Sequence, residues 1–119
     1  MQESLYERLG GSEVIKQISS DVVDNHMANP HISTRFTASN LDKLKQTVTD
    51  FFITGTGGPN LYQGKDMLAA HKGMNIAASE FMSVLDDALA ALGKNNIAQR
   101  EQEEVLFILY SMRSDIVLV

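Results

Sequence analysis

The spacing of apolar residues constrains this chain more than any other feature of its sequence. Four segments repeat apolar side chains every three or four residues, and no long segment alternates every second residue. We therefore predict four main helices, over residues 12–29, 41–54, 77–92 and 98–116. The last five residues, DIVLV, have the composition of a strand but no second strand to pair with.

These helices predict an all-α fold in one domain that spans residues 1–119. Pairing the first helix with the second and the third with the fourth, each antiparallel, gives a two-over-two helical sandwich. Ser4 and Glu7 form a capping-box pattern for one extra short turn before a glycine pair. Ser12 is the expected N-cap of the first main helix, and Gly93 is expected to end the third.

Charge and composition exclude several classes of function. The net charge of −5 leaves no basic field to hold nucleic acid or anionic lipid. With zero cysteines, disulfides and thiolate metal sites are excluded. No apolar run approaches the roughly 20 residues that cross a bilayer, and the acidic start does not resemble a signal peptide. We expect a cytoplasmic protein with no nucleic-acid or membrane partner.

The segment over residues 55–76 is unusual because it holds one short helix between glycine-rich loops. Long loops in a compact domain are commonly functional. Met67 and His71 lie four residues apart, on one side of a helical turn. A neutral imidazole that projects into an apolar space suits a haem iron, although an ordinary half-buried histidine fits the same local pattern.

The remaining polar candidates are interpreted as surface groups. His26 and His31 flank a helix end with poor geometry for a shared metal, and both are predicted to be exposed. The adjacent carboxylates of Asp86 and Asp87 point apart on a helix, and the REQEE run before Val105 is expected to be solvated. Motifs for hydrolysis, phosphate binding and EF-hand calcium binding are absent.

A set of motifs in register resembles the group I branch of the truncated haemoglobins over nearly the whole chain. These are SLYERLGG at residues 4–11, Phe36, the pair at 51–52, GGPxxYxGxxM at 57–67, and AHxGMxI at 70–76 with Phe81. The resemblance implies a two-over-two sandwich around haem b, with His71 as the proximal iron ligand. It places Phe36 flat on the haem, Lys65 near a propionate and Tyr62 in a loop. The haem-wall positions that it implies are Phe51, Met67, Ile76, Phe81 and Val84.

The ligand side of the implied haem site departs from the family pattern. Relatives commonly carry tyrosine and glutamine there, whereas the matching positions here are Val23, Leu44, Thr47 and Val48. These four are also expected to contact the cofactor or its gas ligand. Only Thr47 has a hydrogen-bond donor, so we expect faster O₂ release than in tyrosine-bearing relatives. A shift of one residue in the register would offer Gln46, and His26 could enter only if its helix moved.

The resemblance implies a protein that binds or carries O₂ or another diatomic gas, CO or NO, at a five-coordinate iron. A second hypothesis is an enzyme, a nitric oxide dioxygenase that converts NO and O₂ to nitrate and is re-reduced by a separate reductase. A third is a gas or redox sensor, and a fourth is a cofactor-free helical module. An enzymatic role is left open, and a monomer or weak dimer is expected.

Overall fold

The computed structural model describes residues 3–36, 40–63 and 66–119 of the chain. Its elements are seven α-helices and one 3₁₀-helix within these residues. They are α1 (Leu5–Arg8), α2 (Gly11–Ala28), the 3₁₀-helix (Ser33–Phe36), α3 (Leu41–Gly55), α4 (Met67–His71), α5 (Ala78–Lys94), α6 (Gln99–Tyr110) and α7 (Arg113–Ile116).

The long helices pack in the predicted pairs. Helix α2 packs against α3, α5 packs against α6, and α2 also crosses α5. The shared core takes its buried side chains from one stripe of each helix. Its members on the four long helices include Ile15, Ile18, Ile53, Leu92 and Val105. Because full burial of such a side chain contributes about 1.5–3 kcal/mol, these contacts hold the sandwich closed. The all-α prediction is confirmed.

Helix α1 is capped at its N-terminal end and is joined to α6 through its C-terminal end. The predicted capping box is present, with the Ser4 hydroxyl accepting from the amide of Glu7. Arg8 makes a two-pronged salt bridge to Glu104 of α6, with Nη2 2.8 Å from Oε1, and lies near Glu101. The REQEE run is therefore partly engaged with α1, and the prediction that it is only solvated surface is wrong.

The start of α2 differs from the prediction. The helix begins at Gly11, its N-cap is Gly10, and Ser12 lies inside the first turn. Gly10 and Gly11 both have positive φ angles, of 110° and 79°, which favour glycine. The Ser12 hydroxyl instead lies 2.6 Å from the hydroxyl of Tyr6. The glycine pair therefore makes the turn that leads into α2. A serine disfavours positive φ angles and is poorly suited to either of these two positions.

The ends of the last two main helices also differ from the prediction. Helix α5 continues through Gly93 to Lys94, and the left-handed turn is made by Asn96, with a φ of 60°. The predicted final helix is interrupted, because α6 ends at Tyr110 and α7 begins at Arg113. A glycine alone therefore did not mark the end of a helix here.

The C-terminal residues pair with the loop that follows α4. Val117 and Ile76 form an isolated parallel bridge, and the Leu118 amide donates to the Ile76 carbonyl at 2.9 Å. The carbonyl of Val119 accepts from the amides of Gly73 and Asn75 at 3.1 and 3.0 Å. Among the described residues DIVLV has no second strand to pair with, as expected, but it does have a backbone partner. Its partner is a loop, which has no strand signature in the sequence.

Candidate functional site

A cavity of about 350 Å³ lies beside the core and reaches the short helix α4. Helix α2, the 3₁₀-helix and α3 contribute to its wall, together with α4, α5 and the C-terminal helices. Its volume falls within the range of about 300–1,000 Å³ that is usual for cofactor sites. Ten residues predicted from the sequence line it, namely Phe36, Leu44, Thr47, Val48, Phe51, Met67, His71, Ile76, Phe81 and Val84.

His71 is the last residue of α4 and is half-buried in the cavity wall. Helix α4 begins where the Asp66 side chain accepts from the amide of Ala69. Nδ1 of His71 lies 2.7 Å from the carbonyl oxygen of Met67. Since a carbonyl oxygen only accepts hydrogen bonds, Nδ1 carries the proton. In the neutral ring the lone pair is therefore on Nε2, the nitrogen that binds a metal when Nδ1 is held in this way.

The residues of the cavity fit a haem group. A flat apolar macrocycle needs an apolar slot and one neutral imidazole whose second nitrogen is fixed by a hydrogen bond. The cavity supplies aromatic and aliphatic walls from Phe51, Phe81 and Val84. His71 supplies the imidazole. Among the described residues no group of three or more His, Cys, Asp or Glu could hold a metal ion by itself.

Three further positions were named from the sequence, namely Val23, Lys65 and Gln46. Val23 is 1% exposed and is not among the residues that line the cavity, whereas its neighbour Val22 is. Lys65 lies outside the described residues. Gln46 is exposed and donates to Asp50 at 2.8 Å, so the shifted register of α3 is not seen.

The hydroxyl of Thr47 is already engaged within its own helix. It donates to the carbonyl oxygen of Lys43 at 3.0 Å. The loop residue Tyr62 lines the cavity and packs its ring edgewise on Phe51, with centroids 5.6 Å apart. The Tyr62 amide donates to the hydroxyl of Thr54. Because its hydroxyl donates to Lys43, Thr47 is less available as a donor into the cavity than its sequence position indicated.

His26 is buried, and the prediction that it is exposed is wrong. It is 7% exposed and lines the cavity, one helical turn after Val22. Nδ1 of His26 lies 2.7 Å from a carboxylate oxygen of Asp87 on α5, so Asp87 is not a free surface group either. His31 is exposed, as predicted, with Nε2 3.3 Å from the Ser79 hydroxyl. The i, i+4 spacing from Val22 was the available signal for His26.

A salt bridge at the cavity wall was also not predicted. Arg35 of the 3₁₀-helix donates to both carboxylate oxygens of Glu80 on α5, at 2.7 and 2.8 Å. Its Nη1 also donates to the Met74 carbonyl at 2.9 Å. The Arg35 hydrogen bonds, with help from the Ala77 amide, lower the pKa of Glu80 to about 2. This pair joins the 3₁₀-helix, the loop after α4 and the start of α5.

Replacement of Glu80 with glutamine is expected to destabilise the fold in a pH-dependent way. The folded-state pKa of Glu80 is about 2, below the ordinary value of 4.5. The carboxylate therefore stabilises the folded state fully above pH 4.5, and this contribution is lost as the pH falls towards 2. Urea unfolding at pH 6, 4, 3 and 2 should show a small difference between wild type and Glu80→Gln that shrinks as the pH falls. Glu103→Gln, at an exposed position on α6, controls for the loss of one charge. A difference that stays constant from pH 6 to 2 would contradict this account.

In the described part of the chain, none of the helices has both the length and the apolar character needed to span a membrane.

Comparison with known proteins agrees with the cavity and the fold. Residues 4–117 match the family model described as bacterial-like globin. Group 1 truncated haemoglobins from Tetrahymena pyriformis and Mycolicibacterium paratuberculosis are 28% and 34% identical to this chain over 113 and 93 residues. The alignments cover 95% and 76% of this chain, and 93% and 68% of the two relatives.

Solved structures show the same fold. The Fe(III) form of the Tetrahymena pyriformis protein superimposes with a TM-score of 0.94 at 27% identity, over 98% of this chain and 100% of that one. The 2/2 haemoglobin from a Synechococcus species, in its cyanomet state with covalently attached haem, has a TM-score of 0.90 at 25% identity. That match covers 97% of this chain and 98% of the Synechococcus chain. The chain therefore belongs to the bacterial-like globins as a group 1 truncated haemoglobin, a family that binds haem and gaseous ligands.

Proposed function

We propose that this protein binds haem b through Nε2 of His71 and reversibly holds O₂, CO or NO. The observation that carries the proposal is the state of His71 in the cavity wall. Its Nδ1 is fixed as a donor by the Met67 carbonyl, which leaves Nε2 as the nitrogen with the lone pair in the neutral ring. Haem iron supplies an open coordination position at which a diatomic gas binds. The protein supplies the imidazole, the slot and the exclusion of water.

The cavity wall determines how the gas is held. The residues of α2 and α3 that line the cavity are apolar apart from His26 and Thr47. Thr47 already donates to Lys43. Bound O₂ draws negative charge from ferrous iron, and a hydrogen bond to a charged group contributes about 1.5–3 kcal/mol. CO and NO gain less charge, so the shortage of donors on α3 weakens O₂ binding more than theirs.

The visible absorption spectrum of the haem-loaded protein tests this proposal. The purified chain, reconstituted with haemin and then reduced, should show a Soret band and a five-coordinate ferrous spectrum. It should become six-coordinate on addition of CO. A chain that leaves haemin unbound would contradict the proposal and favour a cofactor-free helical module. A ferrous spectrum that is six-coordinate before any gas is added would show an internal sixth ligand instead of an open position.

The partners in this proposal are a diatomic gas and a separate reductase. Ferrous iron is the state that binds O₂ and CO, so an electron donor must restore it after spontaneous oxidation. A cytoplasmic location suits this requirement because reduced nicotinamide and flavin donors are available there.

Nitrate formation from NO and O₂ is the second candidate activity. It is tested by mixing the O₂-loaded protein with NO and measuring nitrate against the rate of spontaneous oxidation.

A further inference from the structure

The side chain of His26 is held on two sides by residues from two separate elements. Nδ1 lies 2.7 Å from Oδ2 of Asp87 on α5. The imidazole also stacks on the ring of Phe36, with centroids 5.5 Å apart and 12° between the planes. Asp87 is in turn oriented by Asn29, whose amide nitrogen donates to both carboxylate oxygens at 3.3 and 3.2 Å. The imidazole is therefore fixed in both position and orientation.

The second ring nitrogen of His26 has no hydrogen-bond partner among the described residues. Within the described residues its hydrogen-bond contact is made through Nδ1, and no partner is found for Nε2. Among the described residues, the fully buried side-chain N and O atoms without a hydrogen-bond partner are the Ser19 hydroxyl and one Glu101 oxygen. Because Nε2 of His26 also has no partner but is not one of them, it is not fully buried, although the residue as a whole is only 7% exposed. The ring that carries Nε2 is itself part of the cavity wall.

The carboxylate of Asp87 determines which hydrogen bond Nε2 can make. An ionised carboxylate only accepts, so the proton of a neutral imidazole is on Nδ1 and the lone pair is on Nε2. In that state Nε2 can accept from a water molecule, whose second hydrogen would be free to reach a neighbouring acceptor. When the ring is protonated, Nε2 itself donates. A polar atom of this kind in an apolar wall is costly unless the occupant of the cavity matches it.

We propose that Nε2 of His26, oriented by Asp87, is the hydrogen-bonding group on the ligand side of the haem and contacts the bound gas directly or through one water. The proposal rests on the proposed function. His26 lies on the same face of α2 as Val22. It therefore belongs to the cavity wall that α3 completes through Leu44 and Val48. It takes the role that the apolar side chains of that wall cannot perform.

Replacement of His26 with phenylalanine tests the proposal with little disturbance of the packing. Phenylalanine keeps the ring stack on Phe36 and removes both nitrogens. In the ferrous CO complex a donor near the gas lowers the C–O stretching frequency, because it favours electron donation from iron into CO. His26→Phe should therefore raise that frequency and speed O₂ dissociation about threefold to tenfold. His26→Gln, which retains a polar group, should fall between wild type and His26→Phe.

Two controls separate this role from a structural one. His31→Phe removes an exposed histidine and should leave the C–O stretch unchanged. Long-range ¹H–¹⁵N spectra should show the His26 proton on Nδ1 in the haem-free protein, and the Nε2 shift should change when CO binds. The second measurement needs no variant, so it decides the matter even if His26→Phe does not fold.

The outcomes distinguish failure of this proposal from failure of the proposed function. A wild-type protein that takes up no haem would overturn both. A protein that binds haem and CO, with a C–O stretch and Nε2 shift insensitive to His26, would overturn this proposal alone. A gas-free ferrous spectrum that is six-coordinate in wild type and five-coordinate in His26→Phe would also overturn it, because His26 would then be an iron ligand.

Discussion

Replacement of His71 with glycine is expected to remove stable haem binding. The variant deletes the imidazole that lines the cavity and whose Nδ1 is held by Met67. The apolar walls still attract the macrocycle, but the bond from protein to iron is gone. We expect haem to dissociate at least a hundredfold faster, equivalent to about 2.8 kcal/mol. Transfer of haem to excess apomyoglobin, followed by the Soret band, measures the rate.

Added imidazole provides the matching rescue. Glycine at residue 71 leaves a space for one imidazole molecule at the end of α4, so the five-coordinate spectrum should return when imidazole is supplied. His31→Gly removes an exposed histidine and should leave the rate of haem loss at the wild-type value. Unchanged haem retention in His71→Gly would show that another residue binds the iron.

The fold was predictable because its stabilising contacts follow local periodicity. The core residues Ile15, Ile18 and Leu92 lie on stripes that the sequence displays directly, whereas the buried Ile53 of α3 does not belong to the apolar stripe of its helix. Helix ends were less predictable, because they depend on backbone angles. Gly10 and Gly11 adopt positive φ angles and move the start of α2, whereas Gly93 stays inside α5.

The site was predictable where the residues form one local motif. Met67 and His71 lie one turn apart on α4, and both line the cavity. On α2 the cavity is lined by Val22 and not by Val23, and the sequence hardly separates the two because both are apolar and differ only in helical phase. Their burial is almost the same, at 3% and 1%, so burial does not distinguish them either.

The polar pairs of the site could not be predicted because their partners are distant in sequence. His26 and Asp87 are 61 residues apart, and Arg35 and Glu80 are 45 residues apart. The residue type alone does not show whether a histidine or a carboxylate is solvated at the surface or buried in a pair. Only the crossing of α2 over α5 brings His26 to Asp87, and that crossing belongs to the tertiary fold.

Replacement of Val48 with glutamine is expected to slow O₂ dissociation by about 10- to 150-fold. Val48 is half-buried on α3 and lines the cavity, one turn after Leu44. Glutamine adds an N–H donor on a chain long enough to reach a gas in the site. A hydrogen bond to the negative charge of bound O₂ contributes about 1.5–3 kcal/mol, which corresponds to this range of rates. Stopped-flow displacement of O₂ by CO measures the rate.

Val48→Met separates the donor from the size of the side chain. Methionine is unbranched and close to glutamine in length, but it has no N–H group to donate. If it slows O₂ release as much as glutamine does, the effect is steric caging and the donor argument is wrong. The CO dissociation rate should change much less than the O₂ rate in Val48→Gln, because bound CO carries little negative charge. That difference between the gases identifies electrostatics as the cause, since a bulkier side chain would hinder both alike.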